Sequence, residues 1–136
     1  MCVFCKIVSN EIPSYKIYED ELFLAFLDIS QTTKGHTLVI PKQHYEDFLD
    51  LEDAFAGKLY SLTSKLTKHI CKQLKVKDVN VLTNTGSKAG QTVMHCHIHI
   101  IPRYEKDSFA ISFSQNETKE KDFLDLKNEL SYPDQS

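Results

Sequence analysis

From residue 95 to residue 101 the chain reads His-Cys-His-Ile-His-Ile-Ile, and this alternation permits few backbones. In an extended strand, successive side chains point to opposite faces. His95, His97 and His99 then form a row of imidazoles on one side, with Cys96, Ile98 and Ile100 on the other. Half of the chain's six histidines sit in this row. Imidazole is the side chain that titrates nearest neutrality, so it serves as base, acid, nucleophile or metal ligand. The segment therefore predicts a strand whose one face packs and whose other face reacts. A plainer alternative is a histidine-rich strand edge or a metal-binding tract.

The rest of the chain supplies partners for such a strand. Lys16 to Glu19 and Leu22 to Asp28 are strand-like, with Asp20 and Glu21 at the turn between them. Thr37 to Ile40 is a β-branched run ended by Pro41, and Val79 to Thr83 is a further strand. The clearest helix runs from about Glu52 to Leu74. Phe55, Leu59, Leu62, Leu66, Ile70 and Leu74 recur there at spacings of three and four. Acidic residues at its start and lysines near its end suit the helix dipole. A short helical turn is expected over Cys2 to Ser9, and another helix over Phe123 to Leu130. Ser108 to Asn116 reads as a strand or a tail, and Ser131 to Ser136 as a fraying end. Strands, one long helix and then more strands describe an α+β domain with a largely antiparallel sheet.

Composition narrows the class. A chain of 136 residues fits one domain with a real core. A net charge of −3 offers no broad attraction for nucleic acid or anionic membrane, so any phosphate recognition must be local. No apolar run approaches a membrane span. The first residues lack a basic stretch followed by an apolar core, so no secretory signal is read and a cytoplasmic location is expected. In that setting the Cys2-x-x-Cys5 pair suggests metal or redox chemistry rather than a disulfide.

The row His95-Cys96-His97-Ile98-His99-Ile100-Ile101 resembles the signature of the histidine triad (HIT) family of nucleotide hydrolases and transferases. Gly35-His36-Thr37-Leu38-Val39-Ile40-Pro41-Lys42, Ala25-Phe26-Leu27-Asp28-Ile29-Ser30 and Ala89-Gly90-Gln91-Thr92-Val93 resemble other blocks of the same family. The resemblance spans roughly residues 2 to 106, leaving 107 to 136 as a more variable C-terminal extension of a single domain. It implies a five-stranded, mostly antiparallel sheet with one long helix and short helices at both ends.

The resemblance implies phosphoryl transfer, and three aligned imidazoles can supply what that chemistry needs. One unprotonated nitrogen must attack phosphorus, donors must hold the non-bridging oxygens, and the leaving group needs a proton. His97, flanked on both sides, is the natural nucleophile. The resemblance implies a covalent nucleotidyl intermediate on His97, with His99 as a phosphate donor and His36 as a further active-site histidine. It implies that Gln91 and Thr92 reach the phosphate and the leaving-group atom. Asp28, which on its own reads as a turn residue, would hold ribose hydroxyls. Phe4, Ile7, Phe26 and Ile29 would wall the base, with core packing as their plainer reading, and Asn84 would contact substrate. Zinc prefers four nitrogen or sulfur ligands in a tetrahedron. Carried over by position, Cys2, Cys5, His44 and His95 are the implied ligands of a structural zinc, and two free thiols are the alternative.

The Phe-x-Asp-Ile-Ser block and the cysteine pair resemble the Hint-like bacterial branch. That branch implies hydrolysis of purine nucleoside phosphoramidates at the α-phosphate. Cleavage of dinucleoside polyphosphates and a nucleotide-binding interaction module with incidental hydrolysis are the rival readings. Relatives of this kind pair as homodimers through the long helix and a strand.

Overall fold

A computed structural model describes residues 2–133. The elements run α1 (Val3–Val8), β1 (Lys16–Glu19), β2 (Phe23–Leu27), β3 (Thr37–Pro41), α2 (Asp53–Leu74), β4 (Val79–Leu82), β5 (Ile98–Pro102) and α3 (Glu120–Leu130). All five strands form one antiparallel sheet in the order β1-β2-β3-β5-β4. The fraying expected from Ser131 onward concerns residues that, beyond Pro133, lie outside the described part.

Strand alternation divides the core in two. Phe23, Ala25, Val39, Cys96, Ile98 and Ile100 face one side and pack against Leu59, Leu66 and Ile70 of α2. Leu24, Phe26, Leu38 and Ile40 face the other side and pack against Phe4 and Ile7 of α1. The sheet thus carries the long helix on one face and a single short helix on the other. That second face is left partly uncovered, and it is where His97 and His99 emerge.

Two local features set the position of the site. Gly35 has φ +94°, and a Cβ there would lie 2.5 Å from Leu74 Cδ1. Only glycine lets the chain turn so tightly under the end of α2 before delivering His36 into β3. The second feature concerns the start of β5. The expected histidine strand begins only at Ile98, because the ladder pairs Thr37 with Ile100, Leu38 with His99 and Val39 with Ile98, and then stops. The next partners on β3 are Ile40 and Pro41. Proline has no N–H to continue a ladder, and the Pro41 carbonyl is taken by the His95 ring at 2.8 Å. The Cys96 N–H donates instead to the Tyr45 carbonyl at 2.7 Å. His95 therefore lies in a bend and His97 in irregular chain ahead of the strand, yet Cys96 still packs with Ile98 and Ile100.

The segment 108–116 forms no strand. α3 starts three residues before the expected Phe123, and none of its residues is buried.

Candidate active site

His97 is fixed by its own neighbour. Its Nδ1 lies 2.7 Å from the main-chain oxygen of His95. A carbonyl only accepts, so Nδ1 carries the proton and Nε2 keeps the lone pair. Among the described residues, none hydrogen-bonds to that Nε2. The Phe4 ring stands edge-on to the imidazole at 5.1 Å and 87°. Burial holds the His97 pKa below the ordinary value, outweighing the His95 carbonyl and the Asp28 charge, which push it up. The ring is neutral at neutral pH, with a free lone pair.

His99 receives the opposite tautomer through a short chain of bonds. The Thr32 N–H donates to His36 Nδ1 at 3.3 Å, so the His36 proton sits on Nε2. That Nε2–H donates to His99 Nδ1 at 2.9 Å. His99 must then carry its proton on Nε2. Burial, with the neighbouring His97 and His36, lowers His99 to about 4. Burial likewise lowers His36, against the pull of Asp28, whose Oδ2 lies 3.8 Å from His36 Nε2. The His97 and His99 rings are 4.9 Å apart. The row thus offers one nitrogen lone pair beside one N–H donor, which suits attack on a centre that bears anionic oxygens.

A cavity of about 400 Å³ is linked to the row through Phe4, whose ring contacts His95 and His97, and through Asp28 beside His36, while no imidazole is itself among its lining residues. Phe4, Ile7, Phe26, Ile29, Asp28 and Thr92, all singled out from the sequence, line it. Ile29 is 85% exposed and so forms a rim rather than a wall. Ile12, Pro13, Ser14, Leu38 and Val93 also line the cavity, and the sequence reading did not select them. No lysine or arginine is among the lining residues. Asp28 Oδ1 accepts the Ser30 N–H at 2.8 Å, which leaves Oδ2 for a ligand or for His36. A larger cleft of about 630 Å³ lies between α2 and the β1–β2 hairpin, and neither Phe4 nor Asp28 lines it.

Two expected substrate contacts are placed differently. Gln91 is buried, and its carboxamide is used on main chain. Its Oε1 accepts from the Gly86 N–H at 2.8 Å, and its Nε2 donates to the carbonyls of Glu46 at 2.7 Å and Val93 at 3.1 Å. These bonds tie down the loop that carries Thr92. Asn84 donates to the Gly90 carbonyl at 3.5 Å and is absent from the cavity lining.

Behind the row lies the second cluster. Cys2 N-caps α1, its Sγ accepting the Cys5 N–H at 3.4 Å. His95 is fully buried, and its Nε2–H donates to Pro41, so its Nδ1 lone pair points at the cysteines. That Nδ1 lies 3.3 Å from Cys2 Sγ, 3.7 Å from Cys5 Sγ and 3.2 Å from His44 Nδ1. His44 Nδ1 lies 3.4 Å from Cys5 Sγ. All four ligand atoms fall within 4.8 Å of one another, an arrangement that can hold a metal ion. Burial, together with the adjacent Cys2, raises the Cys5 thiol, the repulsion that a cation would relieve. Asp28, His36 and His99 also lie this close together. There, however, the His99 Nδ1 lone pair is already taken by His36. Cys96 is buried on the α2 side with its pKa raised to about 12, an inert packing residue.

Comparison with known proteins agrees with this geometry. The "HIT domain" family model matches residues 9–106. "Protein hit" of Bacillus subtilis (strain 168) is 52% identical over 110 residues, covering 80% of this chain and 76% of that protein. An adenosine 5'-monophosphoramidase of Saccharomyces cerevisiae (strain ATCC 204508 / S288c) is 41% identical over 118 residues, covering 86% of this chain and 72% of that protein. The crystal structure of a member of the HIT family from Bacillus subtilis superposes with a TM-score of 0.90 at 44% identity, covering 96% of this chain and 94% of that one. With the family model spanning residues 9–106, a stretch that includes the imidazole row, the chain belongs to the HIT domain family.

Proposed function

We propose that this protein hydrolyses purine nucleoside phosphoramidates at the α-phosphate through a nucleotidyl intermediate on His97. The observation that carries the reading is the His97 tautomer: Nδ1–H spent on the His95 carbonyl, Nε2 neutral and free. In the first step Nε2 forms a bond to phosphorus and the P–N bond to the leaving amine breaks, the amine nitrogen taking up a proton. In the second, water attacks phosphorus and gives up a proton to solvent, replacing the one that the amine drew from solvent in the first step, while the P–Nε2 bond breaks and nucleoside monophosphate leaves. The His99 Nε2–H donates to a non-bridging oxygen throughout, held in that tautomer by His36. Thr92, at the cavity rim, is assigned to the leaving-group side, and Asp28 to the ribose hydroxyls. Gln91 is assigned to holding the Thr92 loop.

Charge favours an amine over a polyphosphate as the leaving group. A polyphosphate leaves with several negative charges and needs cations to receive it. The cavity lining supplies none, and it already contains Asp28. The adenosine 5'-monophosphoramidase named among the relatives supports the same choice.

The four-ligand cluster is read as a structural zinc site. Tetrahedral zinc with bonds of about 2.3 Å to sulfur and about 2.0 Å to nitrogen sets its ligands roughly 3.3–3.8 Å apart. Four of the six ligand-to-ligand distances, 3.2, 3.3, 3.4 and 3.7 Å, lie close to that spacing. Here zinc ties α1 to His95 and leaves the chemistry to His97. A homodimer is read from β4, an edge strand whose Val81 is exposed beside Tyr60 of α2. A cytoplasmic location fits four cysteines that form no disulfide. Among the described residues no helix is long and apolar enough to cross a membrane.

The test is product chromatography after incubating wild type and His97→Ala with adenosine 5'-phosphoramidate or diadenosine tetraphosphate. Wild type should release AMP faster from the phosphoramidate, and the variant should lose at least about a thousandfold in turnover. Preference for the dinucleotide would move the protein to polyphosphate hydrolysis. Failure to cleave either would leave a nucleotide-binding module.

A further inference from the structure

Ser14 poses a question that core packing does not answer. Among the described residues, its Oγ is the buried side-chain oxygen or nitrogen that lacks a hydrogen-bond partner. An unpaired buried hydroxyl is costly, and natural structures keep few of them. Ser14 also lines the cavity beside the imidazole row.

Its place along that cavity is informative. The segment Ile12-Pro13-Ser14 connects α1 to β1. Next to it, the Leu27 N–H donates to the Tyr15 carbonyl at 3.0 Å, which pins the main chain against β2. The other polar side chains of the lining are Asp28, Ser30 and Thr92. Asp28 and Ser30 share one turn, and Thr92 belongs to the loop that leads to His97. On the reading given above, those three serve the ribose and the phosphate. The stretch around Ser14 is otherwise apolar, with Ile7, Ile12, Pro13 and Phe26. A flat base inserted there buries its faces well but brings polar edge atoms that need partners.

We propose that Ser14 is a specificity-determining residue that reads the base. A staggered rotation about χ1 turns its hydroxyl into the cavity, where it donates to a ring-nitrogen lone pair on the edge of a purine. The orphaned hydroxyl of the free protein and the orphaned edge of the bound base satisfy one another. This inference rests on the nucleotide reading of the cavity.

The experiment compares adenosine 5'-phosphoramidate with ribose 5-phosphoramidate, which lacks the base, on wild type and Ser14→Ala. Wild type should favour the nucleoside, and the variant should shrink that preference by about five- to tenfold, the worth of one hydrogen bond. The loss should appear as a raised KM with kcat little changed. The free variant should melt at the same temperature as wild type or higher, because it removes an unpaired buried group. An unchanged preference for the nucleoside overturns the role of Ser14 while leaving the hydrolase reading intact. A lower melting temperature of the free variant overturns it too, since the hydroxyl would then have a structural partner. If wild type cleaves neither compound, the nucleotide reading fails and this inference falls with it.

Discussion

Keeping the imidazole row neutral must cost the protein stability in acid, and His99 allows the cost to be worked out. Its pKa is about 4 in the folded protein, chiefly because of burial, against about 6.5 for free histidine. Above pH 6.5 both folded and unfolded chains hold it neutral, and it contributes nothing to pH dependence. As pH falls below 6.5 the unfolded chain takes up the proton while the folded one does not, so stability declines until the folded pKa is passed. Between pH 7 and pH 4.5 these two pKa values correspond to a loss of ~2.4 kcal/mol. For a chain of 136 residues, an unfolding entropy of about 2 cal/mol/K per residue converts this to roughly 8 °C in Tm. The assay is thermal unfolding followed by circular dichroism at both pH values, for wild type and His99→Gln. Glutamine keeps a side-chain oxygen able to accept from His36 Nε2–H but has nothing to titrate. Carboxylates and metal ligands protonate in both proteins, so only the difference between the two pH shifts is read. Wild type should lose roughly 8 °C more than the variant. Equal losses would refute the argument that His99 is held neutral by desolvation, and with it the assignment of its Nε2–H as a fixed donor.

Two further outcomes are expected. Chelation should lower Tm and speed amide exchange in α1, because the Cys2–Cys5–His44–His95 cluster joins that helix to the fully buried His95; differential scanning fluorimetry and hydrogen exchange with and without chelator check this, and unchanged exchange in α1 would count against a metal there. Light scattering should give twice the monomer mass, and Val81→Lys on the outer edge strand should shift that mass toward the monomer; a monomeric wild type would remove β4 as an interface.

Legibility in the sequence tracked how local the cause was. The period of three and four along α2 is short-range, and that helix formed with nearly the expected bounds, whereas the period of two at residues 95–101 gave a strand only from Ile98 onward. What displaced the start of β5 was Pro41, a residue 54 positions from His95 whose missing N–H ends the ladder and whose carbonyl takes the ring. The main-chain partners of Gln91 were hidden for a similar reason. Its type says only that it can donate and accept, and a carbonyl 45 residues away claimed the donor. The amphipathic spacing of Phe123, Leu126 and Leu130 encoded α3 correctly, but periodicity specifies a face and not what the face meets; all three are exposed. The main-chain N–H of Thr32 that orients His36 has no sequence signature at all.

The row itself shows most clearly why residue identity underdetermines role. Three identical side chains stand at alternate positions, and what separates them is which nitrogen each has already committed. His95 gives Nε2–H to the Pro41 carbonyl, so Nδ1 is left as a lone pair among two thiols and an imidazole, a ligand's configuration. His97 gives Nδ1–H to the carbonyl of His95, so Nε2 is left as an uncommitted lone pair, the configuration a nucleophile needs. His99 accepts at Nδ1 from His36, so Nε2 is left as a donor. The first two commitments are made to main-chain carbonyls and the third to a histidine whose own tautomer a main-chain N–H sets. A carbonyl cannot reverse its polarity, so the assignments are stable against side-chain substitution nearby and depend on the backbone path through Pro41, His95 and Thr32. On the proposed reading, division of labour among the three histidines is a property of that path, so the tautomers that the reading needs are set by the fold and not by the motif alone.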